Sequence, residues 1–216
     1  MERFVKVIYG VNFRKGPGTG FDVIKLLPKG TVVEVLDEGP GTWYKGRLED
    51  GSVGYLSSLP KYTESFIPEW LVKARKLIDF GKQFLDVPYL YGSTRNNTKT
   101  FDCSDFVQYV FRHSLGIKLD GDSRSQSDDA PEVSLDSLRT GDLVFFQKDG
   151  RIYHVAIYVH DDKLLHTYND TATIYDEDLK PTKANGGNGK GGVTFTKFSG
   201  YWKDKAGLCK AIRPIR

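Results

Sequence analysis

Five short runs of β-forming residues crowd the first part of the chain, and each is stopped by a turn former. The runs are Val5–Tyr9, Val23–Leu27, Thr31–Leu36, Trp43–Leu48 and Ser52–Leu56. Between them stand Gly16-Pro17-Gly18, Pro28-Lys29-Gly30, Gly39-Pro40-Gly41 and Asp50-Gly51. Glycine supplies the positive φ that tight turns need, while proline pre-sets φ and withholds a ladder donor. No run is long enough for a helix, so residues 1–62 are predicted to form a small β-barrel. The Gly16–Gly20 cluster is a turn rather than a phosphate-binding loop, since no Gly-Lys-Ser/Thr ending and no helical pattern follow it.

The pattern then changes. Residues 60–68 carry two prolines and are predicted to be a linker. Beyond it Ile67, Leu71, Ala74, Leu77, Ile78 and Leu85 recur at helical spacing. A loop over 87–101, a helix over 102–113 and a series of strands complete residues 63–216. Helices followed by antiparallel strands make this second domain α+β. The Gly-rich run 180–192 is predicted to be a hairpin tip or flexible loop.

Composition narrows the function. Hydrophobic residues make up 39% of the 216, enough for a core, and no apolar run approaches the length needed to span a bilayer. The net charge of +3 is scattered, which points away from nucleic acid. Two cysteines cannot build a disulfide framework, although a Cys103–Cys209 pair is conceivable and would occupy the thiol. Met1–Val5 lacks the apolar core of a secretory signal, so either the protein acts in the cytoplasm or the chain is a mature form.

Cys103 carries the chemical reading. In Asp102-Cys103-Ser104-Asp105-Phe106-Val107 it opens a helix whose buried stripe is Phe106, Val107, Val110 and Phe111. Unpaired N–H groups at a helix start favour an anion, so the thiol pKa is expected to fall below its ordinary value. The competing reading is a small buried hydrophobe. Cys209, in a late strand, reads as core.

His154 lies on the strand Ile152–Val159 beside small Ala156, and His166 lies on the returning strand Lys163–Tyr168. If the loop is the three residues 160–162, residue 154 faces 168 and the two imidazoles are diagonal neighbours on one face. A two-residue loop puts them on opposite faces. His154 is then a general base and His166 its orienter. A zinc site from His154, His160 and His166 lacks any supporting spacing, so neither metal nor cofactor is expected.

Two resemblances follow from these residues. Val11–Pro17, Trp43-Tyr44-Lys45 and Gly54-Tyr55-Leu56 resemble the bacterial SH3-like domain, a module that binds or positions wall peptides. The ordered motifs Asp102-Cys103-Ser104, Gly141–Phe146, His154–Val159 and Leu165-His166 resemble the NlpC family of cell-wall cysteine peptidases. That resemblance implies a papain-like α+β core with Cys103 as nucleophile, His154 as base and His166 as third member. It implies cleavage of the γ-D-glutamyl bond to a diamino acid in peptidoglycan stem peptides, by a monomer secreted or held at the cell envelope, with cytoplasmic recycling as the alternative. It further implies that Asp102 and Ser104 hold a free L-Ala amine, with Tyr91 beside the thiol and Arg124 along the cleft. The family usually has Gly where this chain has Asp105. An amidase or acyltransferase with the same triad, or a catalytically silent wall-binding protein, are the competing functions.

Overall fold

A computed structural model describes residues 2–169, 173–184 and 191–216, and within these the backbone alone of 183 and 184. The chain divides into two compact units, Met1–Glu69 and Trp70–Arg216.

The first unit holds β1 (Phe4–Val7), β2 (Val11–Arg14), β3 (Val23–Leu27), β4 (Val32–Glu38), β5 (Trp43–Arg47), β6 (Val53–Ser57) and β7 (Thr63–Phe66). They form one antiparallel sheet in the order β3-β2-β6-β5-β4-β1-β7. Two expectations change here. The sheet does not close into a barrel: β3 and β7 are its edges. Part of the expected linker is β7, which runs antiparallel to β1 with Val5 opposite Ser65. Its polar sequence suits an edge, where one side of the strand has no ladder partner. Alternation along β1 and β2 buries Val5, Val7, Val11 and Phe13 against Leu27, Val33 and Leu56. Gly46 and Gly54 face each other across β5 and β6. A Cβ on Gly54 would stand 2.8 Å from the Phe13 ring, so the pair leaves the space that the aromatic core fills.

In the second unit α1 (Glu69–Lys82) buries Leu71, Ala74, Leu77 and Ile78, as its spacing predicts. Ile67 precedes the helix and is exposed. Then come α2 (Cys103–Leu115), the short α3 (Ser123–Gln126), β8 (Leu143–Lys148), β9 (Arg151–Val159) and β10 (Lys163–Tyr168). They are followed by β11 (Thr173–Tyr175), β12 (Pro181–Ala184), β13 (Gly192–Lys197) and β14 (Leu208–Ile212). A five-stranded antiparallel sheet has the order β13-β10-β9-β8-β14, and β11 pairs with β12 alone. The Gly-rich stretch at 185–190 lies outside the described residues.

The register of β9 and β10 is the one that a three-residue loop demands: Lys163 faces Val159 and Leu165 faces Ile157. Asp161 and Asp162 both take positive φ in that loop, 64° and 62°, a conformation that short polar side chains tolerate. One face of the sheet sets Phe145, Val155, Ile157 and Leu165 against Phe106, Val107 and Val110 of α2. The other packs Phe146, Ala156 and Leu164 with Trp202. Among the described residues no helix is long and apolar enough to cross a membrane.

Beneath β8, Asp142 is buried and takes the Arg213 guanidinium as a fork, Nε at 2.9 Å and Nη2 at 2.8 Å. It also accepts the Arg139 backbone N–H at 2.9 Å. This carboxylate ties the approach to β8 to the chain end.

Candidate active site

Cys103 is the first residue of α2, and Asp102 caps the helix by accepting the Asp105 N–H at 2.8 Å. The same carboxylate oxygen accepts the Ser104 hydroxyl at 2.9 Å. Ser104 is buried, and its carbonyl accepts Gln126 Nε2 at 2.9 Å, which joins α2 to α3. Asp and Ser near a helix start are both good N-caps, and the structure gives the role to Asp102.

The thiol differs from expectation. Cys103 is only 8% exposed. Its pKa is pushed up to about 11, first by burial and then by the Asp102 carboxylate. The backbone N–H groups of Val155, Ser104 and Cys103 pull the other way. The helix start therefore acts with the expected sign, but desolvation outweighs it. Cys103 and Cys209 are both free, and Cys209 donates to the Phe145 carbonyl at 3.3 Å.

The histidines meet as the register requires. His154 Nε2 lies 2.8 Å from His166 Nδ1. His154 is 4% exposed and His166 not at all. Trp202 stacks on the His154 ring at 5.0 Å between centroids and meets the His166 ring edge-on at 4.7 Å. Burial drives the His154 pKa down to about 3, and both burial and His154 hold His166 well below its ordinary range. Both imidazoles are neutral near pH 7.

The thiol approaches β9 at the backbone of Val155, one residue from His154. Among the described contacts no hydrogen bond joins thiol to imidazole. At rest the thiol and both imidazoles are neutral, with the thiol at the Val155 backbone, one residue along β9 from His154. His160 stands apart from that pair and binds Asp161 at 2.9 Å.

Two expected neighbours are displaced. Tyr91 is 87% exposed, because Leu90–Ser93 forms a turn, with Ser93 N–H donating to the Leu90 carbonyl at 3.1 Å and Gly92 at φ 67°. That turn lifts Tyr91 outward. Tyr89 instead feels the charges of Cys103 and Asp102, and burial chiefly raises its pKa to about 12. Arg124 is exposed on α3, and its charge falls on Asp122. The guanidinium at the start of α2 belongs to Arg95. It donates to the Gly121 carbonyl and, at 3.5 Å, to Ser104 Oγ.

Arg95 also lies 3.5 Å from Asp105, which is 1% exposed. That distance is long for an ion pair, and Asp105 Oδ2 and Arg95 Nη1 are buried without hydrogen-bond partners. Burial accordingly raises the Asp105 pKa to about 6 against the opposing pull of Ser93 and Arg95.

Residues 86–184 match the NlpC/P60 family model, and residues 10–59 match the model of the bacterial SH3 domain. The chain joins a bacterial SH3 domain to an NlpC/P60 domain. The matched stretch of the NlpC/P60 domain contains Cys103, His154 and His166. Among relatives, a gamma-D-glutamyl-L-lysine dipeptidyl-peptidase of Bacillus cereus is 38% identical over 44% of this chain and 28% of its own length. A murein DD-endopeptidase MepS/murein LD-carboxypeptidase of Escherichia coli is 38% identical over 39% of this chain and 44% of its own. The chain thus spans well under two thirds of either relative. An NlpC/P60 family protein from Bacillus cereus matches all of this chain and 64% of its own, with 24% identity and a TM-score of 0.51. NlpC2 from Trichomonas vaginalis matches all of this chain and 74% of its own, with 18% identity and a TM-score of 0.50. These two likenesses concern the fold.

Proposed function

We propose that the protein is a cysteine peptidase that hydrolyses peptidoglycan stem peptides at the γ-D-glutamyl bond to the diamino acid. The observation that carries this reading is the 2.8 Å contact of His166, on β10, with His154, on the strand β9 whose backbone meets the Cys103 thiol at Val155. The relatives named for γ-D-glutamyl and murein peptidase activity support the substrate class. A wall substrate places the enzyme at the envelope or outside it.

The resting charges set the order of events. With the thiol at about 11 and His154 at about 3, proton transfer accompanies attack rather than standing complete beforehand. Catalytic hydrogen bonds often tighten only when substrate binds. His154 then takes the thiol proton while sulfur bonds to the carbonyl carbon, whose π electrons move to oxygen. The Cys103 backbone N–H and the Tyr89 hydroxyl are the candidate donors to that oxyanion. Collapse breaks the C–N bond, and His154 passes its proton to the leaving amine. Water attacks the thioester, gives a proton back through His154, and releases the acid and the thiol. His166 orients His154 throughout. Asp102 and Ser104 flank the thiol and suit a substrate ammonium by charge and hydrogen bonding.

The test is digestion of L-Ala-γ-D-Glu-diaminopimelate and its N-acylated form, with products weighed by mass spectrometry. We expect release of the diamino acid from the free-amine peptide, loss of activity in Cys103→Ala, and poor cleavage of the acylated peptide. Activity that survives Cys103→Ala refutes the mechanism. Equal cleavage of both peptides refutes the amine-reading role of Asp102 and Ser104.

A further inference from the structure

Beyond the histidine pair, the hydrogen-bond chain has one more member. His166 Nε2 lies 3.0 Å from Thr196 Oγ1. Thr196 lies on β13, beyond the stretch 86–184 that matches the NlpC/P60 model. The register explains why it arrives there. His166 faces Thr194 across β10 and β13, so Thr196 is the same-face diagonal neighbour. Thr194 is itself engaged, since its hydroxyl accepts the Tyr175 N–H at 2.9 Å and donates to the Phe195 carbonyl at 3.0 Å.

We propose that Thr196 is a positioning residue that selects the tautomer of His166, and through it the tautomer of His154. A neutral imidazole carries one N–H and one lone pair, so the two contacts of each ring are linked. When the Thr196 hydroxyl accepts, His166 bears its proton on Nε2 and presents a lone pair at Nδ1. That lone pair accepts His154 Nε2–H, and His154 keeps a lone pair at Nδ1. When Thr196 donates, every proton in the chain moves over, and His154 bears its proton on Nδ1, leaving no base there. Only the first pattern leaves His154 a lone pair at Nδ1 with which to take the thiol proton when the two groups meet.

The first pattern is also the one that survives proton transfer. A protonated His154 donates from both nitrogens, and only a His166 lone pair can meet it. His166 then needs an acceptor for Nε2–H, and for a fully buried ring the Thr196 oxygen at 3.0 Å is the one at hand. Thr196, half-buried at the edge strand β13, can turn its own hydroxyl hydrogen elsewhere.

The role of Thr196 rests on the reading of His154 as base, but its test does not depend on turnover. Nitrogen-15 NMR of the full chain, labelled at histidine, reads both tautomers directly in wild type, Thr196→Val and Thr196→Ser. We expect wild type to show His166 as Nε2–H and His154 with an unprotonated Nδ1. Thr196→Val should move the proton of His166 to Nδ1 and that of His154 with it, and Thr196→Ser should restore both. If the wall peptide is cleaved, kcat in Thr196→Val should fall roughly tenfold to a hundredfold with KM little changed. A wild-type His166 carrying its proton on Nδ1 overturns the proposal, even if no variant folds. So does a Thr196→Val protein whose tautomers match wild type. Absence of peptide cleavage by wild type sinks the proposed activity and leaves the NMR result standing.

Discussion

Asp105 offers the sharpest quantitative test, because burial and pairing pull it in opposite directions. Replacing it with Asn keeps its shape and removes its charge. The rise from an ordinary 3.8 to about 6 corresponds to roughly 3 kcal/mol between the two protonation states. The folded protein binds this proton more tightly than the unfolded chain does. Below pH ~4 the group is protonated in both states and contributes nothing to pH dependence. As pH rises from about 4 through about 6 the folded carboxylate must ionise in its buried site, and stability falls by roughly that 3 kcal/mol. Because the chain has two compact units, whole-molecule melting mixes two transitions. Native-state hydrogen exchange of the α2 amides reads the second unit alone, and intrinsic exchange rates cancel between wild type and Asp105→Asn at each pH. Wild-type protection, relative to the variant, should fall by about two orders of magnitude between pH 4 and 7. A flat difference refutes the buried-carboxylate account. A difference that grows with pH shows that the Arg95 pair outweighs desolvation.

Two further outcomes follow from charges already described. Alkylation of Cys103 by iodoacetamide, in a Cys209→Ser background, should speed up about tenfold per pH unit from pH 6 to 9 without a plateau, since the thiol sits at about 11; a plateau below pH 8 reveals a preformed thiolate–imidazolium pair. Asp142→Ala should lower stability by about 2–3 kcal/mol in chemical denaturation, because it strips the Arg213 fork of both its bonds to the carboxylate and leaves it the Ser137 carbonyl, while that side chain, 24% exposed, recovers some water; a loss under about 0.5 kcal/mol contradicts this anchor.

Much of this arrangement is legible in the residues themselves. The buried stripe of α2 follows from local periodicity, and the common face of His154 and His166 is one of two outcomes that the sequence leaves open and the three-residue loop decides. What escaped depends on contacts that periodicity does not encode. β7 is polar and flanked by prolines, and only pairing with β1 makes it a strand. Tyr89 and Tyr91 have the same parity, and the turn at Gly92 sends Tyr91 outward while Tyr89 feels the charge of the thiol. Arg95 and Arg124 are equally plausible on paper, but a long side chain that crosses from a loop to a helix start leaves no trace in spacing. The thiol pKa shows the same limit: a helix start is visible in the sequence, whereas the depth of burial is a property of the packed domain. Nothing in the sequence near Thr196 marks a site, and its contact with His166 arises only once β10 and β13 are in register.

The burial of Cys103 has a consequence for redox chemistry. Oxidants attack the thiolate, not the thiol, and reach it only where solvent does. A cysteine that is 8% exposed, protonated up to about pH 11 and not paired with Cys209 is poorly placed to form sulfenic acid or a disulfide. In an oxidising medium such a nucleophile is preserved while idle, and is converted to its reactive form only during the encounter that uses it.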